Sequence, residues 1–268
     1  MHTITKGFAP LMLMLLLAVA ATPPAHAQLQ EPEVLDIEEP RTLWGEGLRN
    51  GLGANLVVNN FGLGLQGHYS RILSPYTELT LSVGITGIRD VSEQSFQDFF
   101  TGQRVIPNKY NRALGFPFLV GIKHRMFARQ IDDNFRLFIS TAAGPALGFT
   151  YPYFNDVDNS GFRNVVEVNG VPRVEKINDF FSGWSDGASQ WGLSAEFKVG
   201  VDFGENFRHL TRVEFGYFFY YFQQGLQILE PYQGITNSEG TLVDREPFHD
   251  AQKFFGTPQI SLIFGSMW

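Results

Sequence analysis

The sequence predicts an all-β chain, closed into an eight-stranded antiparallel up-and-down transmembrane β-barrel. Three observations carry this expectation. Short segments alternate apolar and polar residues, the connections between them alternate short and long, and an N-terminal export signal is followed by no apolar run long enough for a membrane helix. The alternation is clearest in 191–222. Trp191, Leu193, Ala195, Phe197, Val199, Val201 and Phe203 share one face, with Gly192, Ser194, Glu196, Lys198, Gly200 and Asp202 on the other. Val213, Phe215, Tyr217, Phe219 and Tyr221 repeat the pattern against Arg212, Glu214 and Gly216. A soluble sandwich turns such an apolar face inward and a membrane barrel turns it toward lipid, so alternation alone does not choose.

The N-terminus weighs on the choice. Residues 1–27 read as a secretory signal: Lys6, the apolar run 11–21, a break at Pro23-Pro24, and Ala25-His26-Ala27, with cleavage after Ala27. The run is too short to span a bilayer, and no second apolar helix follows to support the competing reading of an anchor. An exported chain of this kind can cross a membrane only as a closed barrel. Composition agrees. With 0 Cys there is no disulfide framework or thiolate metal site. Aromatic residues make up 15%, including 26 Phe, and charged residues only 18%. The net charge of −7 argues against nucleic acid as a partner. Mean hydropathy is −0.08, because alternation hides a lipid-facing surface from any average.

Residues 28–46 form an acidic linker. Glu31, Glu33, Asp36, Glu38 and Glu39 with Pro32 and Pro40 leave little to bury, and the segment reads as a periplasmic lead-in, with docking a partner or closing the barrel mouth as the other readings. Trp44 suits an interfacial anchor. The barrel is expected over 47–268. Its strands are read at 48–59, 61–70, 77–88, 113–127, 135–150, 191–203, 213–222 and 255–268. Asn59-Asn60 suits a tight hairpin. Pro117 and Pro145 are blemishes, since proline removes a ladder donor. The connections 72–76, 128–134 and 205–210 are short, whereas 89–112, 151–190 and 225–252 are long, and 165–171 inside the longest reads as a small Asn-Gly hairpin. Membrane barrels keep short turns on the periplasmic side and long loops outside.

These residues resemble the small bacterial outer-membrane β-barrel proteins of the OmpA, OmpX and OmpW kind. The resemblance covers 48–268 and is carried by the strand pattern and the chain's end. Ile260, Leu262, Phe264 and Trp268 look like the terminal signal read by the barrel-assembly machinery, with Ser266 and the terminal Trp departing from the usual residues. It implies location in the outer membrane of a Gram-negative-type bacterium, contact with outer-membrane lipid and lipopolysaccharide, and a monomer.

Four constellations are candidates for function. An eight-stranded barrel is just wide enough for side chains. Arg49, His68, Glu78, Lys123, Arg125, Arg136, Glu196, Lys198, Asp202, Arg212 and Glu214 are expected inside as a charge network that plugs the lumen, with Asp202 paired to Arg212. His68, Ser70 and Glu78 offer the parts of an activated nucleophile, and His68-x-Ser70 resembles outer-membrane lipid A deacylases, although the Glu spacing departs from that family. Asp156, Asp158, Ser160, Gly161 and Glu167 fit the spacing of a calcium loop without its helices, while Asp-rich outer loops also mimic that spacing. Phe218, Tyr220 and Phe222 would line a mouth for an apolar ligand or pack beneath the loops. The reading that follows is a non-enzymatic barrel without a cofactor, acting through its outer loops. A narrow conduit for small apolar ligands is the second reading, and a lipid-modifying hydrolase is the third.

Overall fold

A computed structural model describes residues 39–97, 104–131, 133–168, 170–238 and 242–268. The export signal and most of the acidic linker lie outside the described residues. Eight long strands form the barrel: β1 (Asn50–Asn59), β2 (Gly62–Ser74), β3 (Thr77–Ile88), β4 (Asn111–Arg125), β5 (Phe135–Pro152), β6 (Ala188–Phe203), β7 (His209–Leu226) and β8 (Gln252–Met267). Each pairs antiparallel with its sequence neighbour, and β1 pairs with β8 to close the ring. The closing seam places Leu56 opposite Leu262 and Ala54 opposite Phe264, and the Trp268 carbonyl accepts hydrogen bonds from the Arg49 and Asn50 amides.

Strand limits shift by a few residues from the sequence reading, inward at the starts of β1 and β2 and the ends of β4 and β8 and outward at the other limits that move, while β3 is found at the expected limits. β2 continues through the expected turn to Ser74, which carries Ile72 into the interior, and β6 begins at Ala188. The prolines are tolerated where the ladder gives way. Pairing of β3 with β4 stops at Val83↔Phe118 and resumes unshifted at Thr86↔Gly115, so Pro117 falls in the interruption. The β4–β5 ladder likewise pauses between Pro117↔Ala146 and Val120↔Ala143, beside Pro145.

The period of two sets the two faces. Leu52, Leu63, Leu65, Val83, Val120, Ile122, Trp191, Leu193, Phe215, Phe254 and Phe264 stand exposed on the outer wall. Inside, three layers stack along the barrel axis. Toward the termini and short turns, Leu48, Ile72, Phe207, Leu210, Ile263 and Met267 form an apolar cluster, with Leu43 packed against it. The middle is polar and charged. Toward the long loops, Ile88, Leu119, Ala146, Phe218, Tyr220, Phe222, Leu226, Ile228 and Phe255 form a second apolar cluster. The described end of the linker folds across the terminal mouth. The Arg41 amide donates to Asp133 Oδ2 at 2.8 Å, and Arg125 donates to the Arg41 carbonyl at 2.8 Å.

Among the described residues the long connections carry three small hairpins: Phe96–Gln97 with Arg104–Val105, Val165–Val168 with Val171–Val174, and Tyr232–Thr236 with Leu242–Pro247. The second is the hairpin expected from Asn-Gly, and its Gly170 has the positive φ of 76° that the turn requires. The closed ring, its apolar outer wall and the polar layer inside it are the architecture of a small transmembrane β-barrel.

Candidate functional site: the lumen and the outer loops

Eight charged side chains from five strands meet in the middle layer. β3 brings Glu78, β4 Lys123, β5 Arg136, β6 Glu196, Lys198 and Asp202, and β7 Arg212 and Glu214; all are buried. Lys123 Nζ donates to Glu78 at 2.6 Å and to Asp202. Arg212 Nε donates to Asp202 at 2.6 Å, its Nη2 to Glu78 at 3.3 Å, and its Nη1 lies 3.9 Å from Glu214. Lys198 spans Glu196 at 2.7 Å and Glu214 at 2.6 Å, and Gln259 donates to Glu196 at 3.0 Å. The Phe138 ring lies beneath both Lys123 and Arg212, 4.4 and 4.9 Å away. Arg136 stands opposite Asp202 across the β5–β6 ladder and donates to the carbonyls of Asp133 and Gly204. Four cations thus face four carboxylates. Such ions are costly to dry out unless each finds opposite charge and hydrogen bonds, so buried cations and carboxylates belong together.

Two expected members stand apart from this network. Arg49 precedes β1, stacks on the Trp44 ring at 3.8 Å, and donates to the carbonyls of Trp44 and Leu48. Arg125 is the last residue of β4 and pairs with Asp133 at 2.7 Å on the turn below. Both lie at strand ends, where alternation no longer fixes direction.

His68 joins the network as a neutral acceptor. Arg212 Nη1 lies 3.3 Å from His68 Nε2, and a guanidinium can only donate. The ring proton therefore sits on Nδ1, 3.1 Å from Ser82 Oγ. The nucleophile expected from His68, Ser70 and Glu78 is not assembled. The β2–β3 register sets Ser82, not Glu78, opposite His68. Ser70 Oγ instead contacts Met267 Sδ at 3.9 Å, and Glu78 is engaged by Lys123 and Arg212.

In the outer loops, Asp156, Asp158 and Ser160 do converge. The side chain of Glu167 lies outside the described residues, and Glu175 completes the acidic group, with one oxygen of each carboxylate within 4.8 Å of the others. The Val165–Val174 hairpin explains the exchange, because its antiparallel return brings the Glu175 amide onto the Asn164 carbonyl at 3.1 Å. The carboxylates accept hydrogen bonds from the chain itself. Asp156 takes the amides of Ser160 and Gly161 and the Tyr110 hydroxyl, Asp158 takes Asn164 Nδ2, and Glu175 takes the amides of Val157 and Asn164. Gly161, at φ 82°, makes the sharp turn. Burial pushes the Glu175 carboxyl up, with Asp158 and Asp156 adding to the rise and the two amides opposing it. Burial likewise raises Glu230, whose carboxylate accepts the Arg163 amide. Burial and Asp156 push the Tyr110 hydroxyl up to about 12.

Phe218, Tyr220 and Phe222 point into the lumen and pack in the upper cluster, where Tyr220 shares a 2.8 Å hydrogen bond with Thr86. The residues that sequence reading missed are Gln259, Ser82 and Glu175. Gln259 and Ser82 fall on the inward phase of their strands, but alternation gives no reason to single out neutral polar groups.

No protein-family model matches this chain, and no curated protein matches it. Among solved structures it is similar to the attachment invasion locus protein Ail of Yersinia pestis, at 9% identity over 82% of this chain and 96% of that one, with a TM-score of 0.33. It is similar to the outer membrane protein OprG of Pseudomonas aeruginosa at 8% identity, over 82% and 93% of the two chains, with a TM-score of 0.35. Acinetobacter baumannii CarO2 shares 14% identity over 82% and 99%, with a TM-score of 0.30.

Proposed function

We propose that the protein is a non-enzymatic barrel of the outer membrane, with a lumen closed by its own side chains, acting through its outer loops. One observation carries this reading. A balanced charge network is enclosed between two apolar clusters, so the polar interior is filled rather than left as a path. The apolar outer wall supplies the lipid-facing surface. The aromatic upper cluster weighs against a conduit for apolar ligands, because its rings pack on one another rather than around a channel. Removal of residues 1–27 and recognition of the strand ending in Trp268 by the assembly machinery belong to the same proposal.

Membrane fractionation with heat-modifiable gel migration tests it. The mature chain is expected in the outer-membrane fraction, beginning at Gln28, with a faster-migrating folded form before boiling. A mature chain found soluble in the periplasm would overturn the reading.

A further inference from the structure

The terminal mouth of the barrel is covered by a short piece of chain that belongs to no strand. Residues 41–47 make one turn, with the Glu46 amide donating to the Thr42 carbonyl and the Leu48 amide to the Leu43 carbonyl, both at 3.0 Å. Gly47, at φ 78°, turns the chain toward β1. Two barrel residues clasp this segment. Asp133, on the turn between β4 and β5, accepts the Arg41 amide at 2.8 Å through Oδ2 and Arg125 at 2.7 Å through Oδ1. Arg125 in turn donates to the Arg41 carbonyl at 2.8 Å. The Arg41 and Arg136 guanidinium groups both stand against Phe207, on the turn between β6 and β7, at 4.9 and 4.3 Å from the ring centre. Arg125, expected in the charge network, thus holds the covering segment instead.

Leu43 is the side chain that this segment places over the lumen. It packs on the lower apolar cluster and lines a hollow of about 20 Å³, whose other walls include Ile72, Glu78, Lys123, Arg136 and Asp202. One half-buried leucine therefore stands next to four members of the charge layer. Its fastening is slight. Arg41 and Glu46 pair at 2.8 Å with side chains 53% and 39% exposed, and exposed pairs contribute little. Residues 41–47 join no ladder among the described residues, whereas every strand of the ring is bonded on both sides. A segment held by exposed hydrogen bonds and few apolar contacts opens locally at a lower free energy than the structure beneath it. Wetting also returns solvation to the ions below, which offsets the lost burial of one leucine.

We propose that residues 41–47 are a releasable strap: clasped by Arg125 and Asp133, it seals the terminal mouth with Leu43, and released, it admits water to the charge layer while the barrel stays folded. The inference rests on the reading of a closed lumen in an outer-membrane barrel and adds that closure at this mouth is reversible. The upper aromatic cluster is built largely from strand residues and does not move with the strap.

The chain has 0 Cys, so a single Thr80→Cys reports on access to the lumen; Thr80 is buried on β3, one inward position from Glu78. The full mature chain in detergent is treated with a charged, water-soluble methanethiosulfonate, and labelling is followed by mass spectrometry. Heat-modifiable migration of each variant is read separately. With the strap intact, labelling is expected to be slow. Leu43→Asp and Asp133→Ala are expected to label about tenfold faster while migrating as folded, and Phe222→Ala, a lesion in the upper cluster, to leave the rate unchanged. Equal rates with and without the folded strap variants, or labelling sped as much by Phe222→Ala, overturns the proposal. Where both strap variants fail to fold, hydrogen exchange in the unaltered chain decides. The Arg41 amide is expected to exchange faster than the amides of β1, and equal protection overturns the proposal. A barrel in the outer-membrane fraction whose labelling ignores the strap sinks only this inference, whereas a chain soluble in the periplasm sinks the functional reading with it.

Discussion

Arg212 is the residue on which the lumen turns. It reaches Asp202 on the neighbouring strand and Glu78 and His68 across the barrel, and it is 1% exposed. A buried ion pair adds little net stability over an apolar filling, yet removing one partner leaves the others charged and dry. Arg212→Met is therefore expected to destabilise the barrel by about 3–5 kcal/mol, read as a lower urea midpoint for loss of the fast-migrating form. Asp202→Asn in the same background should return part of that loss, since it removes one of the two carboxylates then left to share Lys123. The Asp202–Arg212 contact was accessible to sequence reading because only a short turn separates the two strands. The contacts of Lys123 with Asp202 and of Arg212 with Glu78 were not, since they join strands that are not neighbours.

Single elements carry the next two expectations. On β5, beside Pro145, a Cβ added at Gly144 would fall far inside contact distance of the Phe118 carbonyl oxygen on β4. That oxygen belongs to backbone and cannot swing aside. Gly144→Ala should cost about 1–3 kcal/mol through overpacking, measured by the same urea midpoint. In the outer hairpin, burial holds Glu175 above the ordinary carboxylate range. A raised folded value means that the folded loop binds the proton more tightly than the unfolded one. Its contribution is complete below the ordinary value and is lost as pH rises through the raised one. Hydrogen exchange at the Val157 and Asn164 amides, corrected for intrinsic rates, should show protection falling over that window, and Glu175→Gln should flatten the profile. The hairpin itself was legible from Asn169-Gly170, but its consequence, the arrival of Glu175 at Asp156 and Asp158, depends on the length of both arms.

At the scale of the whole molecule, the closure proposed for the lumen rests on more than one layer. The upper aromatic cluster, the charge layer and the lower apolar cluster lie in series. Opening one layer should not open a pore. Phe222→Ala is expected to lower stability by about 3–5 kcal/mol while planar-bilayer recordings show no conductance. Steady conductance by that single variant would mean that the charge layer does not block the lumen. The lower cluster was hard to foresee, because Ile72 lay in an expected turn and Phe207 in a short connection.

The sequence by itself determined the strand count, the apolar and polar face of each strand, and the alternation of short and long connections. These are local properties: a period of two assigns every side chain to one wall, and turn residues mark where a strand ends. Tertiary structure decided which inward charges meet, that His68 and Ser70 do not work together, and that Arg49 and Arg125 stay at the strand ends. The physical reason is closure. In a ring, the partners of a side chain are set by stagger and curvature summed over several strands, and no single segment encodes that sum.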